Sequence, residues 1–362
     1  MTGTGHEYHS IRRSRVLRVA LIVAIVSLAC GLLFQGTLFA EDELSEGYYT
    51  LVDEDENAVF HTALVLSPGD MFINEDNRTY EVVRIHEQTA YARFTETTTL
   101  DEGHEAFGDG ITSLLSGVAR SLSQMFFAEQ KPAERTVVLY NTHSDESYEP
   151  SSGSSTKDWG DVYKVAAAFE QALKKQGFDV VRATDNHNPH DGGAYARSRR
   201  TLAKLLKQQP TAAFDIHRDA VPPEAYRATV LGEEVTKITL VIGQQNQTRG
   251  QNLRFAKQLK SATDSKAPGL IKGILWAQGN YNQDMLPRAA LLEVGAHTNN
   301  LEEAERAVGI LASAIAPVVS TPGAAKGLDR GSPARSIAWI IGIVIVAGVG
   351  YVLVNSRRLR RQ

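Results

Sequence analysis

The sequence is short of cysteine and lacks the common enzyme signatures. Cys30 is the single cysteine in 362 residues, which excludes a disulfide framework and a cysteine-rich zinc site. The zinc-protease pattern HExxH is absent, as are the nucleophile elbow GxSxG, the P-loop and the GxGxxG fingerprint. These absences exclude the commonest metalloprotease, serine hydrolase and nucleotide-binding classes.

The charge balance excludes nucleic acid as a partner. The whole chain has 38 basic and 42 acidic residues, and the two ends hold eight of the basic residues but only one acidic residue, Glu7. Residues 41–336 therefore carry 30 basic and 41 acidic residues, a net charge of −11. Binding of nucleic acid depends on neutralising phosphates, so a domain this acidic is not suited to it.

Long uncharged runs at both ends predict two membrane segments. Residues 19–34 and 337–354 have no charge, and arginine clusters flank each run on its outer side. We predict a transmembrane anchor or signal segment at 19–40 and a transmembrane helix at 337–354. A leucine at the −3 position favours an anchor over a cleaved signal peptide. The positive-inside rule then makes the tails 1–18 and 355–362 cytoplasmic and the intervening chain extracytoplasmic.

Apolar patterns divide the chain between these segments. Short β-type runs with turn clusters predict a small β-rich module at 41–105, and an amphipathic helix with a linker follows at 106–134. Residues 135–318 alternate strand and helix patterns, and a Gly, Ala and Pro-rich linker covers 319–336. This alternation predicts an α/β domain with a mostly parallel twisted sheet flanked by helices.

Ionisable residues follow three of the predicted strands. The strand at 136–140 runs into a segment with His143 and Glu146, another strand runs into His217, and a third carries Glu293 near its end. Ligands of open α/β sheets bind beyond the carboxyl ends of the strands. Two imidazoles and two carboxylates at one sheet edge are typical of a catalytic zinc site.

These three stretches also carry a family resemblance. VVLYNTHSDESYEP, FDIHRDA and LLEVGAHTNNLEEAERA resemble the three blocks of stage II sporulation protein P, a family of membrane-anchored, zinc-dependent peptidoglycan hydrolases. The family is related to the N-acetylmuramoyl-L-alanine amidases, so the resemblance implies an amidase-like fold. It covers residues 135–315.

The resemblance implies specific roles. His143, Glu146 and His217 would bind Zn²⁺, with Asp158 and Asp161 as alternatives to Glu146 as the carboxylate ligand. Glu293 would be the catalytic acid/base, and Arg218 would hold a substrate carboxylate or carbonyl. Many members have His-Thr-His where this chain has Asn141-Thr142-His143, so His143 corresponds to the second histidine, and Asp219 would lie at the rim of the site.

The implied activity is hydrolysis of the amide between N-acetylmuramic acid and L-alanine. The resemblance also allows cleavage of bonds within the stem peptide. The setting would be cell-wall remodelling during sporulation, with peptidoglycan and the membrane as partners and a stage II sporulation protein D-like hydrolase as a candidate protein partner. Two alternatives stay open. One is a non-catalytic wall-binding scaffold, and the other is a zinc deacetylase that acts on another amide.

Overall fold

The structure is a computed structural model that describes residues 43–44, 46–100 and 135–320. Within these ranges the strands are β1 (Tyr49–Val52), β2 (Ala58–Thr62), β3 (Met71–Ile73), β4 (Arg78–His86), β5 (Thr89–Thr97), β6 (Thr136–Tyr140), β7 (Asp179–Arg182), β8 (Ala212–Asp219), β9 (Arg227–Val230), β10 (Glu233–Thr236), β11 (Ile238–Gly243), β12 (Ile271–Ala277) and β13 (Ala289–Ala296). The α-helices are α1 (Glu149–Ser152), α2 (Val162–Lys175), α3 (Ala194–Leu205), α4 (Arg249–Lys266) and α5 (Leu301–Ser320).

One large mixed sheet dominates the described chain. Eleven strands pair in the order β2-β1-β5-β4-β3-β12-β11-β13-β8-β6-β7, and β9 and β10 form a separate hairpin. The parallel pairs are β1–β5, β12–β11, β13–β8, β8–β6 and β6–β7. The other neighbours in the sheet, β2–β1, β5–β4, β4–β3, β3–β12 and β11–β13, are antiparallel.

The prediction of a mostly parallel sheet is therefore wrong. The chain passes from β8 to β11, and again from β12 to β13, without a crossover helix. A return connection of this kind reverses the strand direction, whereas the helix α4 between β11 and β12 keeps these two strands parallel. Strands β6, β8 and β13 still run in one direction, and this direction matters for the site.

The N-terminal β-strands do not form the separate module that the predicted fold class includes. β3 pairs with β12, with Phe72 opposite Leu275, so strands β1–β5 continue the sheet of the α/β part. Phe72 also stacks on Phe60 with 4.0 Å between the ring centres, and both rings are buried. Both rings share a buried core with Val241 and Leu275 of the α/β part, so apolar burial reinforces the pairing of β3 with β12.

Helices cover both faces of the parallel half of the sheet. Successive side chains of a strand point to opposite faces, and β6 is buried along its whole length. On one face Val137 and Leu139 share a core with Phe169 of α2, and on the other face Val138 shares a core with Leu202 of α3. Burial on both faces explains why β6 is a continuous apolar run.

The prediction of two transmembrane helices is also contradicted. Among the residues that the structure describes, no helix combines the length and the apolar character needed to cross a bilayer. The longest helix, α5, carries Glu302, Glu303 and Arg306 near its start, which is unfavourable in hydrocarbon. The two-span localisation is corrected on this finding. The predicted segments 19–40 and 337–354, the tails and the segment 106–134 lie outside the described residues.

Candidate metal centre

Three parallel strands bring the predicted site residues to one edge of the sheet. β6 ends at Tyr140, and the loop after it carries His143 and Glu146. β8 carries His217, and β13 carries Glu293. Because β6, β8 and β13 run in the same direction, these side chains meet at the carboxyl ends of the strands.

His143, Glu146 and His217 form a compact buried group. Glu146 Oε1 lies 3.2 Å from His143 Nδ1 and 3.4 Å from His217 Nδ1, and the centres of the two imidazole rings are 4.9 Å apart. The three residues are 3% exposed or less. The carboxylate of Glu146 thus lies between ring nitrogens of both histidines.

Glu293 joins this group through the register of the sheet. It is the direct partner of His217 in the β8–β13 ladder, so the two side chains project from the same face. It is 1% exposed, and its Oε2 atom makes no hydrogen bond to a described residue. Burial raises the pKa of Glu293 well above its usual value, although His217 opposes this shift.

A glycine shapes the chain just after Glu293. Gly295 has a φ of 77°, a left-handed conformation that favours glycine. A Cβ at this position would also lie 2.6 Å from the side chain of Thr236. The ladder between β13 and β8 is irregular from Glu293 to Ala296, so Gly295 lets the strand bend where the site is built.

Arg218 presents buried donors beside the same group. Its backbone N–H donates to Glu146 Oε2 at 3.1 Å, and its Nη1 atom lies 3.7 Å from Glu146 Oε1. The side chain is 5% exposed. Its Nε and Nη1 atoms make no hydrogen bond to the described part of the chain. The guanidinium therefore has N–H groups available for another molecule.

Two residues of this region were missed by the sequence reasoning. Glu43 Oε1 lies 3.5 Å from His143 Nδ1, and Glu43 Oε2 lies 3.7 Å from His190 Nε2. The ring of His190 stacks on that of His143 with 3.7 Å between the centres. Glu43 precedes the first strand, and His190 lies in the loop between β7 and α3. Neither residue follows a strand of the predicted site, so no local pattern marks them.

The electrostatics of the site favour bound cations. Burial disfavours a charged imidazole, but Glu146 and Glu43 raise the pKa of His143 to about 9. In the same way Asp215 and Glu146 overcome burial and raise the pKa of His217 well above its usual value. His217 in turn holds the pKa of Glu146 well below its usual value, against the effect of burial.

The residues present fit a divalent metal ion. The negative potential that stabilises protonated imidazoles also stabilises a cation in place of the protons. Imidazole and carboxylate donors are common protein ligands of transition metals, and the unpaired Oε2 of Glu293 is a further available acceptor. Two groups have donor atoms that lie within 4.8 Å of one another: Glu43, His143, Glu146 and His190, and Glu43, His217 and Glu293.

Asp215 contacts both His217 and the loop that carries His143. Its carboxylate accepts hydrogen bonds from the backbone N–H of Thr142 at 2.8 Å and from Thr142 Oγ1 at 2.5 Å. Its Oδ1 atom also lies 3.1 Å from His217 Nε2. This arrangement leaves His217 Nδ1 directed toward Glu146. Asp215 therefore lies against one histidine and fixes the start of the loop that carries the other.

The other predicted residues lie around this group. Asp161 pairs with Lys164 at 2.8 Å, and Asp158 is exposed, so neither belongs to the two donor groups. Asn141 is buried and donates a side-chain hydrogen bond to the carbonyl of Ile216 at 2.8 Å. It thus links the ends of β6 and β8.

Asp219, predicted at the rim, is buried and connects the N-terminal strands to the site. Its Oδ1 atom accepts the backbone N–H of Ala63 at 2.8 Å, and its Oδ2 atom accepts the hydroxyl of Tyr226 at 3.0 Å. The residues after β2 are thereby held against the end of β8.

An open cleft lies next to this centre. It has a volume of about 560 Å³, and most of its lining residues are polar. His190 lies in the wall of the cleft and also stacks on His143, so the cleft and the buried group are adjacent. Trp159 follows a cleft residue in the chain and is 56% exposed. The cleft is lined by Asp145, Thr156, Lys157, Asp158, Asn188, Pro189 and His190.

The fold and site define an α/β protein with a candidate metal centre at the carboxyl ends of three parallel strands. The family model of stage II sporulation protein P (SpoIIP) matches residues 69–316. The chain belongs to this family, as the resemblance of its three sequence blocks indicated. It is 30% identical over 224 residues to stage II sporulation protein P of Bacillus subtilis (strain 168). This match covers 55% of the chain and 56% of the relative, so the chain spans about half the length of that curated protein.

Solved amidases show a more distant likeness. The N-acetylmuramyl-L-alanine amidase Ami1 from Mycobacterium smegmatis is 14% identical, with a TM-score of 0.36, over 53% of this chain and all of that protein. An N-acetylmuramoyl-L-alanine amidase from Clostridium difficile 630 is 15% identical, with a TM-score of 0.34, over 52% of this chain and 98% of that protein. The family assignment rests on the family model and not on these structures.

Proposed function

We propose that this protein is a zinc-dependent peptidoglycan hydrolase that cleaves the amide between N-acetylmuramic acid and L-alanine during sporulation. The convergence of His143, Glu146, His217 and Glu293 at one sheet edge is the observation that carries the proposal. Membership of the stage II sporulation protein P family supports the substrate and the setting. Bonds of the stem peptide are a second class of target, and a stage II sporulation protein D-like hydrolase is the candidate partner.

His143, Glu146 and His217 are the residues that would hold the zinc ion. Their side chains offer two imidazole nitrogens and a carboxylate, the donor set of many catalytic zinc sites, which leave a further position open. Glu146 is preferred to Asp158 and Asp161 because its carboxylate contacts both histidines. A bound zinc ion would lower the pKa of its water to about 7 and polarise the substrate carbonyl.

Glu293 is the proposed acid/base. Its carboxyl group is buried beside His217 and has an unpaired oxygen, so it can accept a proton from the attacking water. It then returns this proton to the amine of L-alanine as the amide bond breaks. A pKa raised by burial suits a group that must hold the proton between these two events.

Arg218 is the proposed group that positions the substrate. Its Nε and Nη1 atoms are buried donors that make no hydrogen bond to the described residues. A guanidinium offers forked N–H groups that match a carboxylate or a carbonyl oxygen. Arg218 would therefore hold the stem peptide while Glu293 transfers the proton.

The test is a muropeptide digest by the full chain with zinc and with a chelator. Mass spectrometry should detect free lactyl groups and new L-alanine amines, and the chelator should abolish both. Acetate release with intact stem peptides would indicate a deacetylase instead. Zinc-free protein that binds peptidoglycan without cleaving it would support a scaffold and contradict the proposal.

A further inference from the structure

Glu43 reaches the candidate metal centre from a distant part of the chain. It lies one hundred positions before His143, and its carboxylate faces His143 with one oxygen and His190 with the other, at 3.5 Å and 3.7 Å. The side chain is only 14% exposed. A glutamate this buried loses hydration and needs cationic partners in return. Its placement is therefore specific to this site.

Glu43 is common to both groups of donor atoms. It belongs to the group with His143, Glu146 and His190 and to the group with His217 and Glu293. It thus lies between the proposed zinc ligands and the proposed acid/base. A catalytic zinc site holds the metal with three protein ligands and keeps a position open for water or substrate. The donor atoms of Glu43 are close enough to both groups for Glu43 to serve as a further ligand of such a centre.

Glu43 also lies close to a histidine of the cleft wall. His190 lines the cleft of about 560 Å³, and the carboxylate of Glu43 contacts one edge nitrogen of each of the stacked His190 and His143 rings. A metal ligand at Glu43 would compete with a substrate carbonyl for the metal, because the donor atoms of Glu43, His217 and Glu293 lie within 4.8 Å of one another.

The backbone around Glu43 is attached in a way that permits displacement. Glu43 forms an isolated antiparallel bridge with Leu64, and Leu44 N–H donates to the carbonyl of Ala63 at 2.9 Å. Ala63 is itself held by Asp219 at the end of β8. Ala63 is thus tied to the end of β8, whereas residues 43–44 lie outside the regular strands. A short edge attachment of this kind opens at low free-energy cost.

We propose that Glu43 is a displaceable internal ligand of the metal centre that competes with the substrate for the metal until its segment moves. This inference rests on the metal centre of the proposed function. It predicts a resting enzyme whose full activity requires release of residues 43–44 from Ala63 and Leu64.

The experiment compares Glu43→Gln with the matched control Glu46→Gln, an exposed glutamate in the same segment, in the full chain loaded with Co²⁺. Acetohydroxamate, a small chelating probe for an open metal position, is titrated and followed by the visible absorption of Co²⁺. If Glu43 occupies the position nine-tenths of the time, its removal strengthens hydroxamate binding about tenfold. Transfer of Co²⁺ to a chelator should also become faster, and peptidoglycan cleavage by the zinc form should rise.

The outcomes separate this inference from the proposed function. Hydroxamate binding that is equal in Glu43→Gln and Glu46→Gln would overturn the inference and leave the proposed function intact. Loss of Co²⁺ from Glu43→Gln, without stronger hydroxamate binding, would make Glu43 a permanent ligand and would also overturn it. Stronger hydroxamate binding without any muropeptide product would support the inference and contradict the proposed activity.

Discussion

Glu293 and His217 are direct partners on two adjacent parallel strands, β13 and β8. The pleat of the sheet therefore places their side chains side by side on one face, without any loop that must be ordered. Sites built on regular elements hold their geometry more precisely than sites on loops. His143 and Glu146 come from the loop after β6, so the proposed centre combines a rigid half with a loop half.

Replacement of Glu293 by Gln should separate metal binding from catalysis. The amide keeps the shape of the side chain but cannot accept the proton from water, so turnover on purified peptidoglycan should fall by about 10²–10⁴-fold. Zinc content should stay at the wild-type level, because Glu293 is not one of the proposed ligands. Muropeptide release and bound zinc are measured together, with the exposed Glu233→Gln as control. Wild-type release by Glu293→Gln would refute its role.

Replacement of Asp215 by Asn should weaken metal binding without removing a ligand. Asp215 lies 3.1 Å from His217 Nε2, and loss of such an outer partner typically lowers metal affinity about 10–100-fold. The zinc affinity is measured by competition with a chromophoric chelator, and circular dichroism checks the fold. Asp179→Asn, at an exposed strand position, is the control. Equal zinc affinity in the two variants would show that Asp215 does not orient His217.

Asp70 should make stability depend on pH. Its carboxylate accepts backbone N–H groups of Ser67 and Gln278 at 2.7 Å and 2.8 Å, and burial raises its pKa from 3.8 to about 6. Between these values the folded state retains a proton that the unfolded state releases, so the contribution of Asp70 to stability falls as the pH rises from about 4 to about 6. A shift of this size corresponds to about 3 kcal/mol.

The variant Asp70→Asn isolates this effect. The hydrogen bond lost in the variant lowers its free energy of unfolding by the same amount at each pH. Only the wild type has a carboxyl group at this position that takes up and releases a proton. Urea unfolding at several pH values should therefore show the difference between variant and wild type moving in favour of the variant as the pH rises from 4 to 6. A difference that does not change with pH would contradict the raised pKa of Asp70.

Trp159 should contribute to substrate binding. It is 56% exposed and follows the cleft residue Asp158 in the chain, and its ring lies 5.2 Å from that of Tyr163. Burial of an aromatic ring contributes about 1–2 kcal/mol, so Trp159→Ala should bind peptidoglycan about tenfold more weakly. Val83→Ala, at an exposed position on β4, is the control in a sedimentation assay. Equal binding by the two variants would exclude Trp159 from the binding surface.

Local patterns were sufficient to predict most elements of the α/β part. The apolar run at 136–140 is strand β6 as predicted, and the predicted alternation of strands and helices over 135–318 includes α2 (Val162–Lys175). These elements are visible in the sequence because each has a short-range pattern. A strand buried on both faces is a continuous apolar run, and a helix buried on one face repeats apolar residues every three or four positions. The hairpin of β9 and β10 was not predicted, since its strands are short and partly exposed.

The order of residues along the chain therefore determined the elements, the family and the placement of His143, His217 and Glu293 near strand ends. Tertiary packing decided the direction of β11 and β12, the pairing of β3 with β12, and the approach of Glu43 and His190 to the centre. The physical reason is the range of the interactions. Apolar periodicity and turn chemistry act over a few residues, whereas strand pairing and the meeting of Glu43 with His143 depend on contacts between segments about one hundred or more positions apart.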